Sequence, residues 1–517
     1  MDDKKTTRLW NSKFHIGYVF VLFALVVVFF FRFKIAHNEM DVIPFARAAF
    51  NQGWLENDWY LSLKIPYRFL FNYPVGLLAE SVGFTCAIFI GRVISYLFLS
   101  FALLTLIRTL SETTPALLYI VAIVLFFKFF PYGMGAGEWM VGGLETKVFA
   151  YGFAILSLAC FLRKRHKEGL LFAGLSLSFH MLIGLYHLIC LIPIIIYYQD
   201  VQREYVPTLF KSLPLFLIAG AAGIYGVFHQ MFLVEQDIGN QGWYTYVNLS
   251  VPHHVLPPSF SNRIWILFPL FFIIQLSLLN WGSKLAKLVS AYAITSGVVF
   301  IIGLVIFVFF GQHPMLRFYF FRYADIMLPM LTLLNLVTFG YEKLSSFSMK
   351  NQLKMNVILI ATILALTVPR IRFILTETTI DLQTIKSRTS KDLEMENWVQ
   401  RHTPTDKVFV VSPDDIFFYI NAQRPMFASL RHSPQNADDL VDWHQRMKAL
   451  NAGKDFDNKH VIANNYKRLT ENDIKSLASL DPNIGFLLMP STNLLDFSIV
   501  HRTDQSILYA IDHLTQL

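Results

Sequence analysis

From the N-terminus to about residue 375 the chain runs in apolar blocks of roughly 15 to 25 residues, divided by short polar stretches. A hydrocarbon core about 30 Å thick is crossed by about 20 helical residues, so blocks of this length fit a membrane. In lipid every backbone polar group must find its partner inside the segment, which leaves helices as the only form such blocks can take. Composition agrees: 54% of the 517 residues are hydrophobic and only 15% charged, where soluble domains are about a quarter charged.

Candidate crossings lie near 15–34, 84–107, 115–130, 147–162, 169–181, 183–198, 208–232, 263–280, 288–310, 323–340 and 353–375, about eleven in all. The thirty residues 169–198 could form one tilted helix or two short ones. Reading two puts the basic loops "RKRHKEG", "WGSKLAK" and "YEKLSSFSMKNQLK" on the same side as the basic N-terminus. That is the positive-inside arrangement; a single helix breaks it. The N-terminus is then expected in the cytoplasm of a multipass protein of the cytoplasmic (inner) membrane. Residues 14–33 follow Lys4, Lys5, Arg8 and Lys13 but lead to no small-x-small cleavage pattern, so they read as a retained helix rather than a signal peptide.

The formal charge of +8 sits in these loops, while the last ~140 residues are slightly acidic. Such a distribution points to topology and a lipid bilayer, not to nucleic acid. Cys86, Cys160 and Cys190 all fall in apolar segments, so neither a disulfide framework nor a cysteine metal site is expected.

Two units follow: a membrane domain over 1–375 and an extracytoplasmic domain over 376–517. In the second, strand-like "KVFVVSP", "DIFFYI", "RPMFASL" and "IGFLLMP" alternate with helical "TSKDLEMENWVQRHT", "NADDLVDWHQRMKAL" and "TENDIKSLASL". The pattern predicts a small α/β layer fold. No glycine-rich phosphate loop follows any strand, so nucleotide binding finds no support. The expected outer loops are long and rich in Trp, Tyr, Pro and Gly, which places the chemistry on that face. Within the first of them, 35–83, "VIPFARAAFNQGWL" and "WYLSLKIPYRFLFNYPVGLL" read as helices lying in the interface plane.

Acids stand out in that loop: Glu39 and Asp41 directly after the first helix, and Asp58 in "ENDWYL". A carboxylate partly buried near the interface gains basicity and can act as a general base. The plainer reading of each is a solvated loop acid.

An acidic motif after helix one, interfacial helices behind it and an outer C-terminal domain together resemble the GT-C class of membrane glycosyltransferases. That class includes protein O-mannosyltransferases and lipid A aminoarabinose transferases. The likeness rests on "NDWY", "GGLETKVFAYGFA", "GLLFAGLSLSFHMLIGLYHL", "VPHHVLPPSF" and "NWVQRHTPTDKVFVVSP". It implies an inverting transfer of a sugar from a polyprenyl-phosphate carrier to a glycan, lipid or protein hydroxyl. By the same likeness the base would be Asp41, with Glu39 as the alternate. Many relatives carry His-Pro where this chain has His180-Met181, which puts a role for His180 in doubt.

A carrier phosphate calls for cations at the outer interface. Arg317 and Arg322 in "HPMLRFYFFRY" offer planar, bidentate forks, although snorkelling to headgroups is the plain alternative. Asp325, three residues on, is placed to pair with Arg322 on one helical face. Arg68 and the intramembrane Arg92 are further phosphate candidates, the plain alternative for Arg92 being a structural ion pair or snorkelling. His253 and His254 are candidates to hydrogen-bond sugar or phosphate rather than to hold a metal, and the plain alternative is that they are ordinary polar loop residues. No cofactor is called for, and a divalent cation held by the carboxylates is compatible with the class. The alternatives are a lipid or glycan transporter, or a flippase, with ionisable groups near mid-bilayer, and a non-catalytic scaffold with a glycan-binding outer domain.

Overall fold

The structure, a computed structural model, describes residues 14–36, 38–63, 68–111, 115–201, 205–233, 236–344, 352–384 and 392–511. The basic N-terminal stretch, residues 64–67 of the aromatic segment, the loop 345–351 and the start of "TSKDLEM" lie outside them.

Seven helices are long and apolar enough to cross a membrane: Phe69–Leu110, Met181–Val201, Leu213–Leu233, Ile264–Trp281, Lys284–Phe310, Arg322–Lys343 and Lys354–Thr376. Three shorter apolar helices join them, Gly17–Phe30, Ala116–Phe129 and Thr146–Leu162, together with His166–Phe179. The chain is a multipass helical bundle whose apolar surface suits lipid. Lys354–Thr376 shows this most plainly, with Val357, Ile358, Ile360 and Leu364 exposed.

Two breaks shape the bundle. At Gly83 the backbone turns to φ 78° and ψ 165°, dividing the 42-residue helical stretch into 69–82 and 84–110. A side chain there would be strained, so glycine is what permits the corner. At His180 a single extended residue (φ −150°, ψ 104°) separates His166–Phe179 from Met181–Val201. The stretch 169–198 is therefore two helices.

Helices in lipid gain no hydrophobic drive from each other, so hydrogen bonds between them count. Asn335 donates to Ala286 O at 3.0 Å and Ser290 Oγ at 2.8 Å, while Gln275 Nε2 donates to Thr332 Oγ1 at 3.0 Å. His187 Nδ1 meets the Tyr292 hydroxyl at 2.6 Å. These contacts link four of the helices through side chains far apart in the chain. At one end of the bundle Lys164 lies over Tyr198 and Lys284 over Tyr197, so the basic turns after Leu162 and before Lys284 gather there.

The C-terminal unit carries a four-stranded sheet: β1 (Val408–Val410), β2 (Ile484–Pro490), β3 (Ser498–Arg502) and β4 (Ser506–Ala510), in the order β1-β2-β4-β3. β1 runs parallel to β2, and β4 is antiparallel to both neighbours. Two expected strands are corrected. "DIFFYI" forms the short helix Phe418–Asn421, opened by Asp415 accepting from Phe417 N at 3.3 Å. "RPMFASL" contributes only an isolated bridge, Met426 to Phe409.

The C-terminal unit is not hung on a linker alone. Phe45, Leu55, Tyr60 and Leu61 of the first long loop share one core with Met395, Phe409, Phe418, Tyr419 and Leu508. Asn57 Nδ2 donates to Asp406 O at 2.8 Å, and Arg47 reaches Gln423 at 3.0 Å. On the other flank, helix Gln236–Thr245 packs on helix Ala437–Leu450. Contact there is so close that a Cβ on Gly242 would stand 2.0 Å from Ala437 O.

Candidate functional site

Where the C-terminal unit caps the bundle, a cavity of about 280 Å³ remains. Six of the ten sequence-predicted residues line it: Asp41, Arg68, His253, His254, Arg317 and Arg322. Lys147, Arg431 and Lys459 add three more cations, against only Asp41 and Glu145 as acids on the wall. The cavity is strongly electropositive.

Asp41 stands in the first turn of helix Glu39–Phe50, where a carboxylate is favoured by the helix dipole. Tyr60 donates its hydroxyl to Asp41 Oδ1 at 2.5 Å, which fixes the carboxylate's orientation. His432 closes the group from the C-terminal unit, packed against the rings of Tyr60 and Tyr419 and reaching Met40 O at 3.3 Å.

Glu39 faces the other way. It is fully buried and forms a two-pronged ion pair with Arg92. Its oxygens also accept from Ala36 N at 2.7 Å and Leu144 N at 2.6 Å. Arg92 spends its remaining donors on the carbonyls of Arg32 and Lys34, just past the first helix. The pair ties three segments together beneath the cavity and does not line it.

Asp58 is also fully buried and away from the cavity. It accepts from Leu61 N at 2.8 Å, Tyr419 Oη at 3.0 Å and Met426 N at 2.7 Å, the last two on the C-terminal unit. Burial pushes its carboxyl up to about 6, against those three hydrogen bonds. Asp58 is a clasp between loop and domain.

Asp325 was expected to pair with Arg322, but it does something else. Its carboxylate accepts from the N–H groups of Gly135, Ala136 and Glu138 at 2.9, 3.2 and 3.1 Å. It thereby shapes the loop that carries Glu138, whose Oε2 lies 2.5 Å from Arg322 Nε. Lys147 Nζ is 3.5 Å from Glu138 and 3.7 Å from Glu145. These contacts have ionic range without hydrogen-bond alignment, so both Glu138 oxygens are buried with no hydrogen-bond partner. Burial pushes the Glu138 carboxyl up, opposed by Arg322 and Lys147.

Aromatic faces steady the cations. Arg317 lies over Trp243 at 4.6 Å, Arg322 over Tyr319 at 3.8 Å and Lys147 over Trp139 at 3.5 Å. His253 is held down to about 4, chiefly by burial and then by Lys459 and Arg431, so it is neutral near pH 7. His254 Nδ1 lies 3.3 Å from Ala136 O. Among the described residues no three His, Cys, Asp or Glu side chains gather in a metal-binding set.

Beside this cavity lies a mainly apolar one of about 550 Å³, lined among others by Phe45, Leu55, Leu61, Phe69 and Tyr225. The two meet along the chain, since Arg68 lines the first and Phe69 the second.

Residues 390–450 match a domain of unknown function, DUF6798. The matched segment supplies Leu430, Arg431, Ser433 and Gln435 to the cavity wall, and Tyr419, Met426 and His432 to the clasp and the Asp41 group. No curated protein matches the chain.

Glu138, Tyr60, Arg431, His432 and Lys459 escaped the sequence reading. Glu138 carried one usable signal: a carboxylate in a short loop between apolar helices needs a partner. The others come from segments far apart in the chain, and only folding gathers them.

Proposed function

We propose that this chain is a membrane glycosyltransferase of GT-C type, moving a sugar from a polyprenyl-phosphate carrier to an acceptor hydroxyl. The observation carrying the reading is the one cavity that Asp41 shares with six cationic side chains. A phosphate-linked donor needs cations, and an attacking hydroxyl needs a base; both stand around a single space.

In the proposed step Asp41 takes the acceptor proton while the acceptor oxygen attacks C1 of the sugar. The C1–O bond to phosphate breaks, and its electron pair leaves with the polyprenyl phosphate. Arg317 and Arg322 balance the charge that grows on the departing phosphate, their forks matching its oxygens. The carrier's isoprenoid tail would lie in the adjoining apolar cavity, its phosphate entering past Arg68. About eleven crossings belong to the same reading, with the N-terminus and the basic turns at Lys164 and Lys284 in the cytoplasm and the cavity on the outer face of the inner membrane.

The test is sugar transfer in membranes from a deletion strain that carries either the wild-type chain or Asp41→Asn. Surface glycans and lipid-linked sugars are read by mass spectrometry. Loss of one glycan unit with the variant, at equal protein level, supports the reading. An unchanged glycan profile in the deletion strain itself removes it.

A further inference from the structure

The cations of the cavity come from two bodies. Arg68, Lys147, Arg317 and Arg322 belong to the bundle and its loops, whereas Arg431 and Lys459 descend from the C-terminal unit. The bundle's cations are engaged by the protein: Arg322 and Lys147 by Glu138, and Arg317 by Trp243. Arg431 and Lys459 differ. No carboxylate among the described residues pairs with either, and Arg431 Nε is buried without a hydrogen-bond partner. The Lys459 ammonium donates to Ser250 O at 3.3 Å. Burial and the neighbouring Arg431 hold it below the usual lysine range. Two like charges kept close in a half-buried wall, with no acid between them, are set for an anion that is not part of the chain.

Position says which anion. Arg431 precedes His432, which packs on Tyr60, whose hydroxyl binds Asp41. Arg431 therefore stands near the carboxylate that receives the acceptor's proton, and Lys459 lies beside Arg431 toward Ser250 and His253. Arg317 and Arg322 lie on the bundle side, where the carrier phosphate would sit.

We propose that Arg431 and Lys459 form an anion-binding roof that selects an acceptor carrying an oxyanion, a phosphate or carboxylate, beside the hydroxyl to be glycosylated. The proposal rests on the transferase reading and adds to it the chemical class of the acceptor. It also gives the C-terminal unit a task, since that unit alone supplies both cations.

The test uses the purified full-length chain in detergent, with thermal stability read against three probes: glycerol 3-phosphate, glycerol and a polyprenyl monophosphate. Wild type is expected to respond to both phosphates and not to glycerol. Arg431→Gln/Lys459→Gln is expected to lose about tenfold or more in apparent affinity for glycerol 3-phosphate. Its response to polyprenyl monophosphate should persist, which also reports that the variant is folded. Arg431→Lys/Lys459→Arg, keeping both charges, should restore much of the loss. A double glutamine variant that binds glycerol 3-phosphate as wild type does overturns the roof. Equal loss of both phosphate responses overturns it too, because the pair would then belong to the donor clamp. A wild-type chain indifferent to polyprenyl monophosphate removes the transferase reading, and the acceptor role with it.

Discussion

Glu39 and Asp41 are two residues apart and do opposite work. At about 100° per residue, positions i and i+2 of a helix point some 200° apart, so only one of them can face the cavity. Asp41 does; Glu39 is spent on Arg92, Ala36 N and Leu144 N. Their substitutions should therefore fail differently. Glu39→Gln leaves the buried Arg92 without its counter-charge, at a cost of about 3–5 kcal/mol, and should lower the amount of protein in the membrane. Asp41→Asn should leave that amount unchanged and reduce transfer by about 10²–10⁴-fold. Quantitative blotting beside the transfer assay separates the two. The acids were legible as a cluster because charge is rare in this half of the chain. Their division of labour was not, since it depends on where Arg92 arrives from another helix. Asp325 repeats the point: its spacing to Arg322 favoured a pair, yet three backbone N–H groups from the loop 135–138 claim its carboxylate.

Among the elements, the long apolar helices were the easiest to see, because length and hydropathy alone mark them. The break at His180 carried no proline or glycine of its own and was found through loop charge. In the C-terminal unit β1 and β2 were legible as apolar runs, while β3 and β4 were missed. Each has only five residues, and β3 is largely exposed, so little burial pattern is written into it. "DIFFYI" read as a strand because its five apolar and aromatic residues suit either state. Its residues Phe418, Tyr419 and Ile420 are all buried, which a half-exposed strand would not allow. Helix pairing also gives a prediction. Gly242 lets helix Gln236–Thr245 touch helix Ala437–Leu450, and Gly242→Val would drive side-chain atoms into Ala437 O. Limited proteolysis should then cut within residues 430–450 several times faster than in wild type, while the bundle's own helices stay protected. Equal rates would mean that this contact does not hold the domain.

Taken whole, the molecule is a bundle and a cap joined by a proton-sensitive clasp. Asp58, buried between them, has its carboxyl pushed up to about 6. Undocked and solvated, it would return to about 4. Docking therefore takes up a proton between roughly pH 4 and 6, and it weakens as pH rises through that window, by a few kcal/mol at most. Above about pH 6 the effect is constant. Hydrogen exchange over residues 51–63 should be slower at pH 5 than at pH 7.5 once the intrinsic rate is corrected. Asp58→Asn should remove the difference; persistence of it would assign the proton elsewhere.

The cavity's walls come from segments about four hundred residues apart, Asp41 before the bundle's main helices and Arg431 and Lys459 after them. During synthesis, then, the ribosome delivers the apolar helices of the bundle before the roof exists. Until Arg431 and Lys459 emerge, the partial product is a basket of cations open to whatever anions surround it. Folding of the C-terminal unit is what turns that basket into a chamber, so the protein carries its own delay between insertion into the membrane and readiness to bind.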